Sequence, residues 1–197
     1  AGEDGSKKFK QQFGVARKNL HTYLTSMLAS PDASSQDIDH RFTIFTSMVR
    51  RYESTQPAPW LRLGAILQHC AHPTKYFICV QPSCHCVRLG QQQRAFLFAP
   101  STEQDSVGLG QVVKDNNSFR KLKFSLRSYD IEKVTFAPTG QEEIVRAKQE
   151  AEAYFFTSSD ATKYRWVGQL KDMYAQRVAN RLGSAIAEVA LNEYEWD

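Results

Sequence analysis

The sequence predicts an α+β domain: an N-terminal helical hairpin, a central antiparallel sheet free to curl, and two C-terminal helices packed on it. Three observations carry this. Apolar residues recur every three to four positions over residues 7–52 and again over 160–189. Between these stretches short β-rich runs appear, the clearest with a two-residue period. Clusters of Gly, Pro, Ser and Asp mark the changes.

The first helix is expected over residues 7–29, with Phe9, Phe13, Ala16, Leu20, Tyr23, Leu24 and Met27 on one face. Ser30 and Pro31 end it, because the residue before proline disfavours helical angles. Ser34 with Asp37 makes an imperfect capping box. The second helix then runs to about Tyr52 on Ile38, Phe42, Phe45, Met48 and Val49. Gln56 to Pro59 is a rigid connector. The expected strands are Lys75–Val80, Cys84–Leu89, Arg94–Phe98, a weaker run at Val107–Val113, the stretch around Leu122–Leu126, and Lys133–Phe136. Thr139 to Glu142 is a capping box, and a helix to about Tyr154 is expected after it. Ser159 and Asp160 cap the last helix, whose stripe is Val167, Leu170, Met173, Tyr174, Val178, Leu182, Ala185, Ile186 and Val189. Trp196 is expected to tuck back onto the body. Residues 7–56 thus form the hairpin and 57–197 an α+β domain packed with it as one unit. Residues 1–6 read as a disordered or cloning remnant, or a cut within a longer protein.

A chain of 197 residues and 22.4 kDa hides roughly 70% of its extended surface on folding, enough for a core without staples. Its 42% hydrophobic and 23% charged residues exclude collagen-like, mucin-like and wholly disordered classes. No run of apolar residues is long enough for a spanning helix, so no membrane partner is expected. The net charge of +4 hides an asymmetry. Residues 61–130 carry 9 basic and 4 acidic side chains, whereas residues 131–197 carry 8 and 11. Such a surplus permits polyanion contact without demanding it. Cys70, Cys79, Cys84 and Cys86 are too few for a disulfide scaffold and read as reduced thiols in a cytoplasmic protein.

The sequence lacks the phosphate-binding glycine loops, the zinc-protease helix and the nucleophile elbow that announce common chemistries. Three constellations compete for a function. The first is sulfur and imidazole: His72, Cys79, Cys84 and Cys86, with His69, Cys70 and His85 beside them, could supply zinc ligands or a thiol nucleophile. The spacing lacks a paired knuckle, so core packing is the plainer reading and no cofactor is expected. The second is basic. Arg120, Lys121, Lys123 and Arg127 lie along the strand around Phe124, and could track a phosphate backbone. Lysines guarding a sheet edge would look the same. The third is a polar, mostly uncharged stripe on the last helix: Gln169, Asp172, Gln176 and Asn180, flanked by Arg177. Surface helices usually carry Glu and Lys there, so the stripe suggests a recognition surface, together with Gln81 on the loop to Ser83 and Arg88 on the strand expected after it.

Two stretches resemble a known arrangement. Ile78–Cys84 (ICVQPSC) continues through Val87–Leu89 to Arg94–Phe98 (RAFLF). Arg165–Asn180 (RWVGQLKDMYAQRVAN) is followed by Glu193–Trp196 (EYEW). Together they resemble the C-terminal region of a bacterial family whose N-terminal part is an atypical response-receiver domain. In that pattern an acidic residue follows Cys84, and here it is His85. The resemblance implies a non-enzymatic output or partner-docking module of a signalling or defence protein, its partner being another protein or another domain of the parent chain. Nucleic-acid binding through the basic face and a zinc or thiol enzyme are the alternatives.

Overall fold

A computed structural model of the chain describes Thr43, Ser47–Met48 and residues 58–104, 111–115, 118–125, 127–141 and 143–193. These residues build ten strands and one long helix: β1 Ser47–Met48, β2 Ala65–His69, β3 Lys75–Cys79, β4 Arg94–Glu103, β5 Gln111–Asp115, β6 Ser118–Phe124, β7 Glu132–Phe136, β8 Lys148–Glu150, β9 Ala153–Thr157, β10 Lys163–Leu170 and α1 Asp172–Glu193. All strands belong to one antiparallel sheet in the order β5-β6-β4-β3-β2-β10-β9-β8. The sheet curls into a half-barrel.

Two strands fork. One edge of β4 pairs with β7 through Arg94–Phe98 and with β6 through Ser101–Glu103. One edge of β10 pairs with β9 through Lys163–Arg165 and with β1 through Gln169 and Leu170. Each long strand therefore serves two curls.

The two-residue period sends alternate side chains to opposite faces. Ala65, Leu67, Phe77, Cys79, Phe96, Phe98, Phe136, Phe156 and Tyr164 fill one core. Its aromatic rings meet edge-on: Phe77 and Phe98 at 6.4 Å, Phe96 and Phe136 at 5.9 Å, Phe136 and Phe156 at 6.4 Å. Edge-to-face contact is the preferred geometry of aromatic quadrupoles. Ile66, Tyr76, Ile78, Ala99, Val113, Leu122, Phe124 and Leu170 fill the other core, against Ala175, Val178 and Leu182 of α1. The spacing of these three helical residues places them on one face. At the junction, Gly64 takes φ +83°, and a Cβ there would stand 2.6 Å from Ala175 Cβ. Only glycine allows helix and strand to approach this closely.

The face that carries α1 also holds a polar network. Arg165 Nη1 lies 2.7 Å from Asp115 Oδ1, and Arg165 Nη2 donates to Asp115 Oδ2 at 2.8 Å. The same guanidinium donates through Nε and Nη2 to Gln68 Oε1 at 2.9 and 2.6 Å. Gln68 Nε2 in turn donates to Pro73 O and Tyr76 Oη. This fork ties β5, near one end of the sheet, to the central strand β10.

The expected α+β layout needs correction. Most of the hairpin 7–56 lies outside the described residues. Where it is described, Thr43 is helical, but Ser47 and Met48 are strand, facing Leu170 and Gln169, so the second helix does not run to Tyr52. The helix expected after Thr139 is absent. The Thr139 hydroxyl accepts the amide of Arg146 at 2.8 Å and donates to Ile144 O, instead of capping a helix start. Gly140 and Glu143 have φ of 70° and 52°, outside the helical range. Lys148–Glu150 and Ala153–Thr157 follow as a hairpin. The last helix begins at Asp172, because residues 163–170 are β10. A bulge between Trp166 and Gly168 explains the misreading. It inserts one residue, so Val167 and Leu170, three apart, turn to the same core and imitate a helix. Cys84–Leu89 is a 3₁₀ turn over Ser83–His85 followed by loop. Lys75–Cys79 and Glu132–Phe136 match the expected strands, and β2 is additional. Residues 107–110, Leu126 and Trp196 lie outside the described residues.

Candidate functional site

Helix α1 owes its direction to its buried stripe, which leaves the opposite side to solvent. Asp172, Met173, Gln176, Arg177, Asn180 and Ser184 are exposed, and Met173 keeps 70% of its surface open. Met173, Gln176, Arg177, Asn180, Arg181 and Ser184 form one continuous, open face of the helix. Gln176 Nε2 donates to Asn180 Oδ1 at 2.8 Å, so one turn of helix presents a linked amide pair. Asp172 stands in the first turn, where a carboxylate complements the helix dipole. The core stripe closes at Leu182. Ile186, one turn further along, is 48% exposed.

Gln169 does not join this surface. It sits on β10 and is buried, its amide donating to Leu63 O at 2.7 Å and Leu170 O at 3.2 Å. It clamps the strand-to-helix junction. Gln81 is half-buried, and its carbonyl accepts the Cys86 thiol at 3.7 Å. Arg88 is exposed with φ 54°.

The basic strand face divides in two. Lys121 and Lys123 lie opposite Leu122 and Phe124, as the alternation predicts. Arg120 turns to the core side, where it donates to Glu103 Oε1 at 2.9 Å and lies 4.0 Å from Asp115. Arg127 lies beyond the strand, with its guanidinium 5.9 Å from the Tyr129 ring centre. The four cations do not form one track.

The sulfur and imidazole groups also separate. Cys79 and Cys86 are buried, whereas Cys70 and Cys84 are exposed. Cys86 Sγ donates to Pro82 O at 3.3 Å. Burial drives the Cys79 thiol well above the usual thiol range, which keeps it protonated and unreactive. His72 stands beside His69, with ring centres 4.8 Å apart. Among the described residues, no three His, Cys, Asp or Glu side chains gather closely enough for a metal.

A recess that the sequence reading missed opens at the rim of the aromatic core. It measures about 570 Å³, and Gln93, Glu132, Thr135, Ser159, Asp160 and Tyr164 line it together with Lys133 and Val134. The turn between β9 and β10 forms one wall, held to β7 by the Ser159 amide donating to Thr135 O at 2.8 Å. Asp160 accepts Thr162 N–H at 3.1 Å and the Ser158 hydroxyl. These bonds hold its carboxyl below the ordinary range. Tyr164 is 7% exposed and wedged against His69, Phe77 and Phe136, with ring centres at 5.3, 6.0 and 6.0 Å. Burial, then the charges of Asp160 and Glu132, raise its pKa. Reading Asp160 as a helix cap hid this wall. The alternation of Glu132, Val134 and Phe136 was the available signal.

No described helix is long and apolar enough to cross a membrane. Compared with family models, curated proteins and solved structures, the chain matches none.

Proposed function

We propose that this chain is a non-enzymatic protein-interaction module that engages its partner through the outer face of α1. The observation that carries this reading is the exposed Met173, flanked by a linked amide pair and two arginines on one open face of the helix. A solvent-exposed methionine supplies an adaptable apolar anchor. Arginine and amide side chains around it supply directional bonds and favour a partner surface with carboxylates. The resemblance to an output region of bacterial signalling proteins agrees with this role, and the partner is then another protein or another domain of a parent chain.

The test compares proteins captured by cross-linking to the wild-type chain with those captured by Met173→Glu combined with Gln176→Glu. Both positions are exposed, so thermal stability should stay within about 1 kcal/mol. Capture of specific partners should disappear. An unchanged profile removes α1 from the function. A parallel arm measures generic DNA and RNA binding by wild type and by Lys121→Glu with Lys123→Glu. Strong, steeply salt-dependent binding that this pair abolishes would replace the interaction reading with a nucleic-acid one.

A further inference from the structure

Two of the four cysteines meet at the edge of the aromatic core. Cys79 ends β3, and its carbonyl accepts the Gly64 amide at 2.8 Å. The chain then passes Pro82 into the 3₁₀ turn Ser83–His85, where His85 N–H donates to Pro82 O and Cys86 N–H to Ser83 O. This turn brings Cys86 back to the cluster that holds Cys79, and both side chains are fully buried. Their thiols are hydrogen-bonded to each other. The Cys86 thiol donates to Pro82 O at 3.3 Å, so Cys79 is the donor in the shared bond. Cys70 and Cys84 are exposed and stand apart from this cluster. We propose that Cys79 and Cys86 are a redox-active pair, which hydrogen peroxide closes into a reversible disulfide.

The arrangement gives the two sulfurs different roles. The bond from Cys79 holds the Cys86 thiol below its ordinary value, whereas burial holds Cys79 above it. The thiolate is the nucleophile, so Cys86 reacts first. Its sulfur attacks one peroxide oxygen and the O–O bond breaks. The hydroxide released takes the thiol proton and leaves as water, and Cys86 becomes a sulfenic acid. Cys79 is unreactive on its own, but its neighbour now carries a leaving group. The Cys79 sulfur attacks the Cys86 sulfur, the S–O bond breaks, and the hydroxyl departs as water with the Cys79 proton. Two thiols and one hydrogen peroxide thus give one disulfide and two waters, and two electrons pass from sulfur to oxygen. Access comes through the turn. Ser83, Cys84 and His85 are exposed, and a single 3₁₀ turn opens at little cost. A disulfide needs its sulfurs at about 2 Å, which thiols already bonded to each other approach by side-chain rotation. Closing it fastens the exposed turn to the end of β3, so this loop responds to oxidising conditions.

The experiment treats the whole chain, as the double variant Cys70→Ser with Cys84→Ser, with hydrogen peroxide at pH 7. Both replaced positions are exposed, so the fold stays in place. Mass spectrometry should show the loss of two hydrogens in the tryptic peptide 76–88, which dithiothreitol restores. The melting temperature should rise by about 5 °C, as closing an eight-residue loop implies. Adding Cys79→Ser should stop the reaction at a Cys86 sulfenic acid, trapped by dimedone. Should that variant not fold, the double variant still decides. The proposal is overturned if Cys79 and Cys86 stay reduced under peroxide that fully oxidises free glutathione. A bridge that forms only in denaturant, or one that joins Cys84 to Cys86 in the wild-type chain, overturns it as well.

Discussion

Replacing Asp115 by alanine tests how the sheet is held in its curl. Asp115 is 6% exposed and receives Arg165 through two contacts at 2.7 and 2.8 Å. Its removal leaves the guanidinium only the Gln68 oxygen. Losing one partner of a buried pair costs about 3–5 kcal/mol, because an uncompensated charge stays behind. Arg165 is 20% exposed, so water recovers part of this, and the lower end, about 3 kcal/mol, is expected. For a domain of this size that lowers the melting temperature by about 6–12 °C. Urea unfolding followed by circular dichroism gives the free energy and shows whether the slope stays constant. A double variant, Asp115→Leu with Arg165→Met, is measured beside the single variants Asp115→Leu and Arg165→Met to form a cycle. It should recover most of the loss, since an apolar pair of similar volume replaces a buried ion pair at little cost. A single-variant loss below about 0.5 kcal/mol, or a double variant as unstable as the sum of the singles, would refute the claim that this pair staples β5 to β10.

Two further outcomes follow from the geometry. Gly64→Ala should cost about 3 kcal/mol or more by chemical denaturation, combining a strained φ with overpacking; the new methyl would meet Ala175 Cβ at 2.6 Å and Gln169 Nε2 at 2.9 Å. The His69 imidazole is held below its ordinary value, first by burial, then by His72 and Lys75. The unfolded chain therefore binds a proton more readily than the folded one. Its contribution to stability is complete above the unfolded pKa of about 6.5 and declines as pH falls below it. Proton resonances of the ring should give a midpoint under 6.5, and a midpoint above this would reverse the sign.

The alternation of Lys75–Cys79, of Glu132–Phe136 and of Leu122 with Phe124 could be read directly, because each strand has a different environment on its two sides. The strand β2 was hidden, as Ala65, Ile66 and Leu67 are buried on both faces and carry no period. Residues 163–170 misled because a single bulge shifted their phase into apparent continuity with α1. The stretch after Thr139 misled because a hydroxyl that could cap a helix instead closes a turn around Ile144 and Arg146. Local signals of this kind lose to pairing partners far away in the chain. For the candidate site, the outward side of α1 was legible from spacing at Asp172, Gln176 and Asn180. Gln169 was displaced because it precedes the helix. The rim recess was not legible, since Glu132, Asp160 and Tyr164 meet only when β7 approaches the β9–β10 turn.

The central position of β10 has a consequence for synthesis of the protein. Its neighbour β2 is made about a hundred residues earlier, and until residues 163–170 leave the ribosome one apolar edge of β2 has no mate. A nascent chain stopped before residue 163 would carry that open edge into the cell, prone to pairing with another copy. Completion of the domain thus waits for its last quarter, and a truncation there should cause aggregation rather than a smaller folded product.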